Sequence, residues 1–134
     1  MKFKLAKLGY LVPIVVLGFG FSVIAYQEPW VVPEKFDKMA NPVKSDAASL
    51  ATGKSLWSKH CQSCHGKEGK GDGSKAASLK TKPIDFTSAD FTKQSDGAIF
   101  YKTSEGRKDM PAFKKKIPDA DEIWAIVNHM RTFK

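Results

Sequence analysis

Cysteine is scarce in this chain of 134 residues: there are two, Cys61 and Cys64, with two residues between them. That excludes the crossed bridges that hold together small secreted scaffolds. Outside the cluster at Cys61–His65 the only other histidines, His60 and His129, form no closely spaced pair, and no second cysteine pair follows. A four-ligand zinc site therefore lacks its other half. No acidic residue precedes Glu28, so all 14 acidic side chains lie beyond the first segment. The glycine-rich stretch Gly66–Gly73 lacks the Walker pattern and does not follow a strand-like run, which excludes a phosphate cradle and leaves a flexible surface loop. Basic residues do not alternate with aromatics along any one stretch, so nucleic acid is not indicated.

What is present begins with an apolar run. Between Lys7 and Glu28 there is no charged residue, and Leu8–Tyr26 is almost entirely Leu, Val, Ile, Phe, Gly and Ala. About 19 helical residues at about 1.5 Å each reach about 28 Å, close to the thickness of a hydrocarbon core. Lys2, Lys4 and Lys7 before it favour a cytoplasmic N-terminus, which sends the rest of the chain across the membrane. A cleaved signal peptide competes with a retained anchor, but small residues do not stand in the two places a cleavage site needs. Residues 1–27 are therefore expected to be an N-terminal membrane anchor, or else an uncleaved signal. Residues 28–46, with Pro29, Pro33 and Pro42 and little apolar periodicity, read as an extended linker, with Trp30, Val31, Val32 and Phe36 available to pack on a partner or on the domain. Residues 47–134 then form one domain. Its core is small for its length, and domains of this size often need a metal, a disulfide or a cofactor to complete their burial.

The chemistry lies in Cys61-Gln62-Ser63-Cys64-His65. This is the C-x-x-C-H pattern of covalent c-type haem attachment, in which two thiols add to the two vinyl groups and the adjacent imidazole becomes an axial iron ligand. A thioredoxin-like dithiol and half a zinc site are the competing readings. The first needs a βαβ setting, and the flanks here look helical. Haem attachment also agrees with export, because it takes place on the far side of the membrane.

From about Leu50 to Phe133 the chain resembles the small monohaem class I cytochromes c. The resemblance is carried by Gly53-x-x-x-Trp57, the Cys61–Gly66 motif, the Gly69–Gly73 loop, Asp109-Met110-Pro111 and a helix over Asp121–Phe133. It implies an all-α fold, three or more helices around one covalent haem, here preceded by one transmembrane helix. A first helix is expected from Asp46 or Ser49, with Leu50, Gly53, Trp57, Cys61 and Cys64 on one face. A short helix over Asp96–Thr103 follows Ser95. A last helix starts at Asp119, with Glu122 three residues on as in a capping box, and carries Ile123, Ile126, Val127 and Met130 as an apolar stripe. The resemblance further implies that the last helix crosses the first near Gly53 and Trp57, with Trp124 closing the contact. An aromatic residue, often Tyr, would be expected where His129 stands. It also implies that the carbonyl of Pro83 accepts the second N–H of His65.

Four methionines are available for the second axial position. Met1 is terminal, Met39 lies in the linker and Met130 lies on the last helix's stripe, whereas Met110 in Lys-Asp-Met-Pro-Ala-Phe matches the family's ligand loop. His129 and His60 are the alternatives. A His65/Met110 pair raises the reduction potential and fills both axial positions, which favours electron transfer over turnover of a small-molecule substrate. Setting aside Lys2, Lys4 and Lys7 takes the net charge from +8 to +5, and Lys114, Lys115 and Lys116 beyond the ligand loop suit an acidic redox partner. The expectation is a single-electron carrier with one haem c in the bacterial cytoplasmic membrane, its haem domain facing the periplasm. The alternatives are a haem subunit of a larger oxidase, reductase or quinol-oxidising complex, and a peroxidase-like site with an open iron position.

Overall fold

Two helices from opposite ends of the domain cross where one of them has no side chain. In the computed structural model, which describes residues 28–134, the elements run α1 (Glu34–Asp37), α2 (Ala47–His60), α3 (Gln62–His65), a 3-10 turn (Ala76–Ser78), α4 (Ala89–Thr92), α5 (Asp96–Glu105) and α6 (Ala120–Met130). The architecture is all-α: the described residues contain no strand beyond one exchange of backbone hydrogen bonds between Arg107 and Met110. The expected anchor at 1–27 lies outside the described residues, and among those described no helix is long and apolar enough to cross a membrane.

α2 starts where its sequence allows a reciprocal cap. Asp46 accepts the Ser49 N–H at 3.0 Å, and the Ser49 hydroxyl oxygen accepts the Asp46 N–H, so two of the free donors at the helix start are satisfied. Ser49, Gly53 and Trp57 recur every four residues and form the buried stripe. That stripe meets α6, whose Ile123–Asn128 and Met130 are buried. A Cβ on Gly53 would overlap the carbonyl oxygen of Ala125 and press on His129, so only glycine lets the two backbones approach this closely. Trp57, Ile126 and Val127 are fully buried at the crossing, each contributing about 1.5–3 kcal/mol of burial.

Several local expectations shift. Asp119 caps α6 but accepts from Asp121 N–H, so the reciprocal bond with Glu122 is not formed. α6 ends at Met130 rather than Phe133, because the last turn tightens: Thr132 and Phe133 bond back only three residues, to His129 and Met130. Phe133 thereby folds over Trp57 and His129, with ring centroids 4.9 and 5.1 Å away. Trp124 stacks on Phe100 of α5 at 4.1 Å, in the same core cluster as Trp57. α5 is capped by Ser95 as expected and runs two residues further, to Glu105.

The segment expected as an extended linker is docked on the domain. Phe36 of α1 packs on Tyr101, and its carbonyl sits so close over Gly97 of α5 that any side chain there would collide. Asn41 bonds Asn128 at 2.9 Å. Arg107 donates to the carbonyls of Glu28 and Pro29 and lies 4.9 Å from the Trp30 ring. Polar side chains and aromatics dispersed along this segment, rather than a periodic apolar face, fasten it to α5 and α6, which is why periodicity did not reveal it.

Candidate functional site

α2 breaks at Cys61, whose φ of −114° departs from the helix, and one further turn, α3, carries Gln62–His65. Cys61 still bonds back to Trp57, and both His65 and Cys64 bond back to Cys61. The two thiols and the imidazole thus sit on about one turn at the end of a rigid helix. Trp57 reinforces the turn by donating its indole N–H to Gly66 O at 3.2 Å.

The glycine-rich stretch that follows is not a flexible surface loop. Gly66, Gly69 and Gly71 are buried, and the stretch wraps α3: Gly71 N–H donates to His65 O at 2.8 Å, Gly73 N–H to Cys64 O, and Lys75 N–H to Ser63 O. Gly71 has φ +72°, and a Cβ there would lie 2.5 Å from the Pro83 carbonyl oxygen, so both backbone conformation and close approach require glycine. Pro83 is the residue whose carbonyl is expected at His65. Its carbonyl faces Gly71, while His65 Nδ1 is buried with no hydrogen-bond partner.

Both cysteines are free, Cys61 buried and Cys64 partly so. Burial, with the neighbouring Cys64, pushes the Cys61 thiol up to about 12. Dithiol redox chemistry needs the opposite shift, a depressed thiol pKa in an electropositive site. Among the described residues no three His, Cys, Asp or Glu side chains converge as a metal cage, which leaves a zinc reading without ligands. Burial drives the His65 imidazole down to about 4, so it is neutral at ordinary pH with a lone pair to give. Phe86 stacks on it at 5.0 Å, and Trp57 and Phe91 continue the aromatic wall.

Met110 lies in a tight turn that follows α5. Arg107 and Met110 exchange both backbone hydrogen bonds, at 2.8 and 3.0 Å, around Lys108 with φ +54°. The Met110 side chain is half-buried against the apolar cluster that includes Cys61, Phe86 and Phe113. Two roles were not legible in the sequence: Phe86 as the ring against His65, and Asp109, whose carboxylate accepts the backbone N–H groups of Lys80 and Thr81. The alternative ligands lie elsewhere. His129 packs edge-on against Trp57 and Phe133 over Gly53, in the aromatic place expected there, and His60 ends α2 beside Phe113.

Two thiols and a neutral imidazole on about one helical turn, beside aromatic rings, match the donor set that holds a flat, largely apolar macrocycle. The buried Nδ1 without a partner would cost about 1–3 kcal/mol in a finished protein, so the pocket is incomplete as polypeptide alone. Residues 48–130 match the family described as Cytochrome C oxidase, cbb3-type, subunit III. The chain belongs to this family. It is therefore a c-type cytochrome carrying covalent haem c, a domain type that transfers electrons. No curated protein matches the chain. Among solved structures it is similar to the KustC0563 c-type cytochrome, 32% identical over 61% of this cytochrome and 96% of that chain, with a TM-score of 0.54. It is also similar to a chain of the Kuenenia stuttgartiensis reducing HAO-like protein complex Kustc0457/Kustc0458, 26% identical with a TM-score of 0.63. That match covers 81% of this cytochrome but 52% of the other chain, so the cytochrome spans about half its length.

Proposed function

We propose that this cytochrome is a single-electron carrier of a periplasmic respiratory chain, held by its N-terminal segment in the bacterial cytoplasmic membrane. Cys61 and Cys64 would hold the haem through two thioether bonds, and His65 and Met110 would ligate its iron. The observation that carries this reading is the placement of Cys61, Cys64 and a neutral, partnerless His65 on about one helical turn, with Met110 half-buried against the same apolar cluster. When bound, the haem supplies a one-electron iron couple.

The chain's own residues then do three things. α2 and α3 fix the thiols and the imidazole relative to one another, so little need move when charge changes. Phe86 and Trp57 surround the imidazole and limit water, which lowers the local dielectric and favours the less charged redox state. The Arg107–Met110 turn presents a soft thioether, a weaker donor than a second imidazole, which raises the potential. With His65 and Met110 both on the iron, oxygen and peroxide would find no open site, which argues against the peroxidase-like alternative. The apolar, charge-free run Leu8–Tyr26 behind three lysines supports the membrane tether.

A redox-titrated absorption spectrum of the purified holoprotein tests the ligand set. The ferric form is expected to show the weak red-region band of methionine sulfur bound to ferric iron, and its absence refutes Met110 as ligand. A second reading, in which the cytochrome is a subunit of a redox complex, is supported by the similarity to a chain that belongs to one. Gentle detergent extraction followed by size analysis separates the two: co-migration with other redox proteins favours the subunit, and migration alone favours the carrier.

A further inference from the structure

The Met110 turn leaves α5 at Gly106, and Lys108 and Asp109 at its tip are exposed, so hydrogen bonds must help to hold its sulfur in place. Asp109 is exposed, yet one of its carboxylate oxygens accepts two backbone donors, the N–H of Lys80 at 2.9 Å and the N–H of Thr81 at 3.1 Å. These lie about thirty residues earlier in the chain, in the segment that leads to Pro83. The Pro83 carbonyl is seated on Gly71, whose N–H in turn holds the carbonyl of His65. Three residues further along the same segment, Phe86 N–H bonds Gly69 O at 2.8 Å and its ring stacks on His65. A continuous run of close contacts therefore leads from the residue before Met110 to the backbone of His65, and its one side-chain link is the Asp109 carboxylate.

We infer that Asp109 is a positioning residue, which ties the Met110 turn to the loop packed behind His65 and so keeps the methionine sulfur at the iron. This rests on the reading of Met110 as ligand. Charge-assisted bonds from a carboxylate to two backbone N–H groups are the stronger kind, and they fix the turn without burying it. Asparagine keeps an oxygen that can accept both bonds, whereas alanine keeps none.

The test is the affinity of free imidazole for the ferric holoprotein, because imidazole gains the iron only when the sulfur leaves. Asp109→Ala is expected to bind imidazole about tenfold more tightly than wild type, corresponding to about 1.4 kcal/mol, and Asp109→Asn to stay within about threefold. In a Met110→Ala background, Asp109→Ala should change the affinity by less than about twofold. An unchanged affinity in Asp109→Ala, or the same tenfold gain with Met110 already removed, overturns the inference. If Met110→Ala alone binds imidazole no more tightly than wild type, the ligand assignment itself has failed, a result distinct from the other two. Should Asp109→Ala not take up haem, Thr81→Pro removes one donor N–H and is expected to give about a threefold gain; none counts against the inference.

Discussion

The crossing of α2 and α6 and the turn around Met110 are built by opposite means. At the crossing, Gly53 and Ala125 bring two backbones together and Trp57, Ile126 and Val127 fill the space around them; shape and burial hold it. At the Met110 turn, Lys108 adopts a left-handed conformation, Arg107 and Met110 exchange two hydrogen bonds, and the side chains of Arg107 and Asp109 reach out to distant backbone. The first region is held mainly by packing, with the Asn128 amide donating to the Ser49 hydroxyl as a buried polar link across it. The second is held by a few exposed hydrogen bonds and one half-buried thioether. The crossing therefore governs stability and, with Met110 as the proposed ligand, the turn would govern the iron, so mutations should separate stability from redox properties.

The most severe way to probe the crossing is Gly53→Val. Its new carbons must overlap the Ala125 carbonyl, backbone that cannot swing away, so a loss of about 3 kcal/mol or more is expected. Urea unfolding of the holoprotein measures it, and an unchanged midpoint would remove the crossing from its place in the argument. Met110→Ala probes the other region. It should keep haem attached and helicity intact, cost about 1–2 kcal/mol in stability, and lower the potential. Equal potentials in variant and wild type would merge the two regions again.

Smaller effects sharpen the boundary between them. Arg107 joins the turn to the 28–46 segment through two carbonyls and the Trp30 ring. Trp30→Ala should cost about 0.5–1 kcal/mol and make residues 28–46 cleave faster under limited proteolysis while α2 and α6 stay protected. Uniform protection in the variant would show that the segment is held without Trp30.

The least effect concerns pH. Burial, and then the charge of Lys54, lower the pKa of His129 from its ordinary value of 6.5. A histidine whose folded pKa is depressed takes up its proton more readily when unfolded, so its contribution is complete above about pH 6.5 and declines as pH falls toward the folded pKa. His129→Phe should therefore lose less thermal stability than wild type between pH 7 and pH 5, by a margin below that of the other variants because the ring is only half-buried. Parallel losses would mean that another group carries the acid sensitivity.

The crossing was largely legible in the sequence, because Ser49, Gly53 and Trp57 and the stripe Ile123, Ile126, Val127, Met130 obey helical spacing, and Asp46, Ser95 and Asp119 announce helix starts. Cys61, Cys64 and His65 were legible because haem attachment demands that spacing. The loops were not. Neither the seat of Pro83 on Gly71 nor the grip of Asp109 on Lys80 and Thr81 has a period or a motif, since both depend on where two irregular segments meet. The Gly66–Gly73 stretch looked mobile because glycine permits many conformations, whereas here those conformations serve close backbone packing against α3. The 28–46 segment looked extended because its prolines suppress periodicity, yet a handful of polar and aromatic contacts suffices to dock it.

Every difference between the two regions matters only if the porphyrin is bonded to the chain at Cys61 and Cys64. Purified holoprotein, denatured and extracted with acidified organic solvent, should keep its red colour in the polypeptide fraction, while a Cys61→Ser/Cys64→Ser variant should release any pigment it holds. Pigment that passes into the solvent from the wild-type protein would contradict the account.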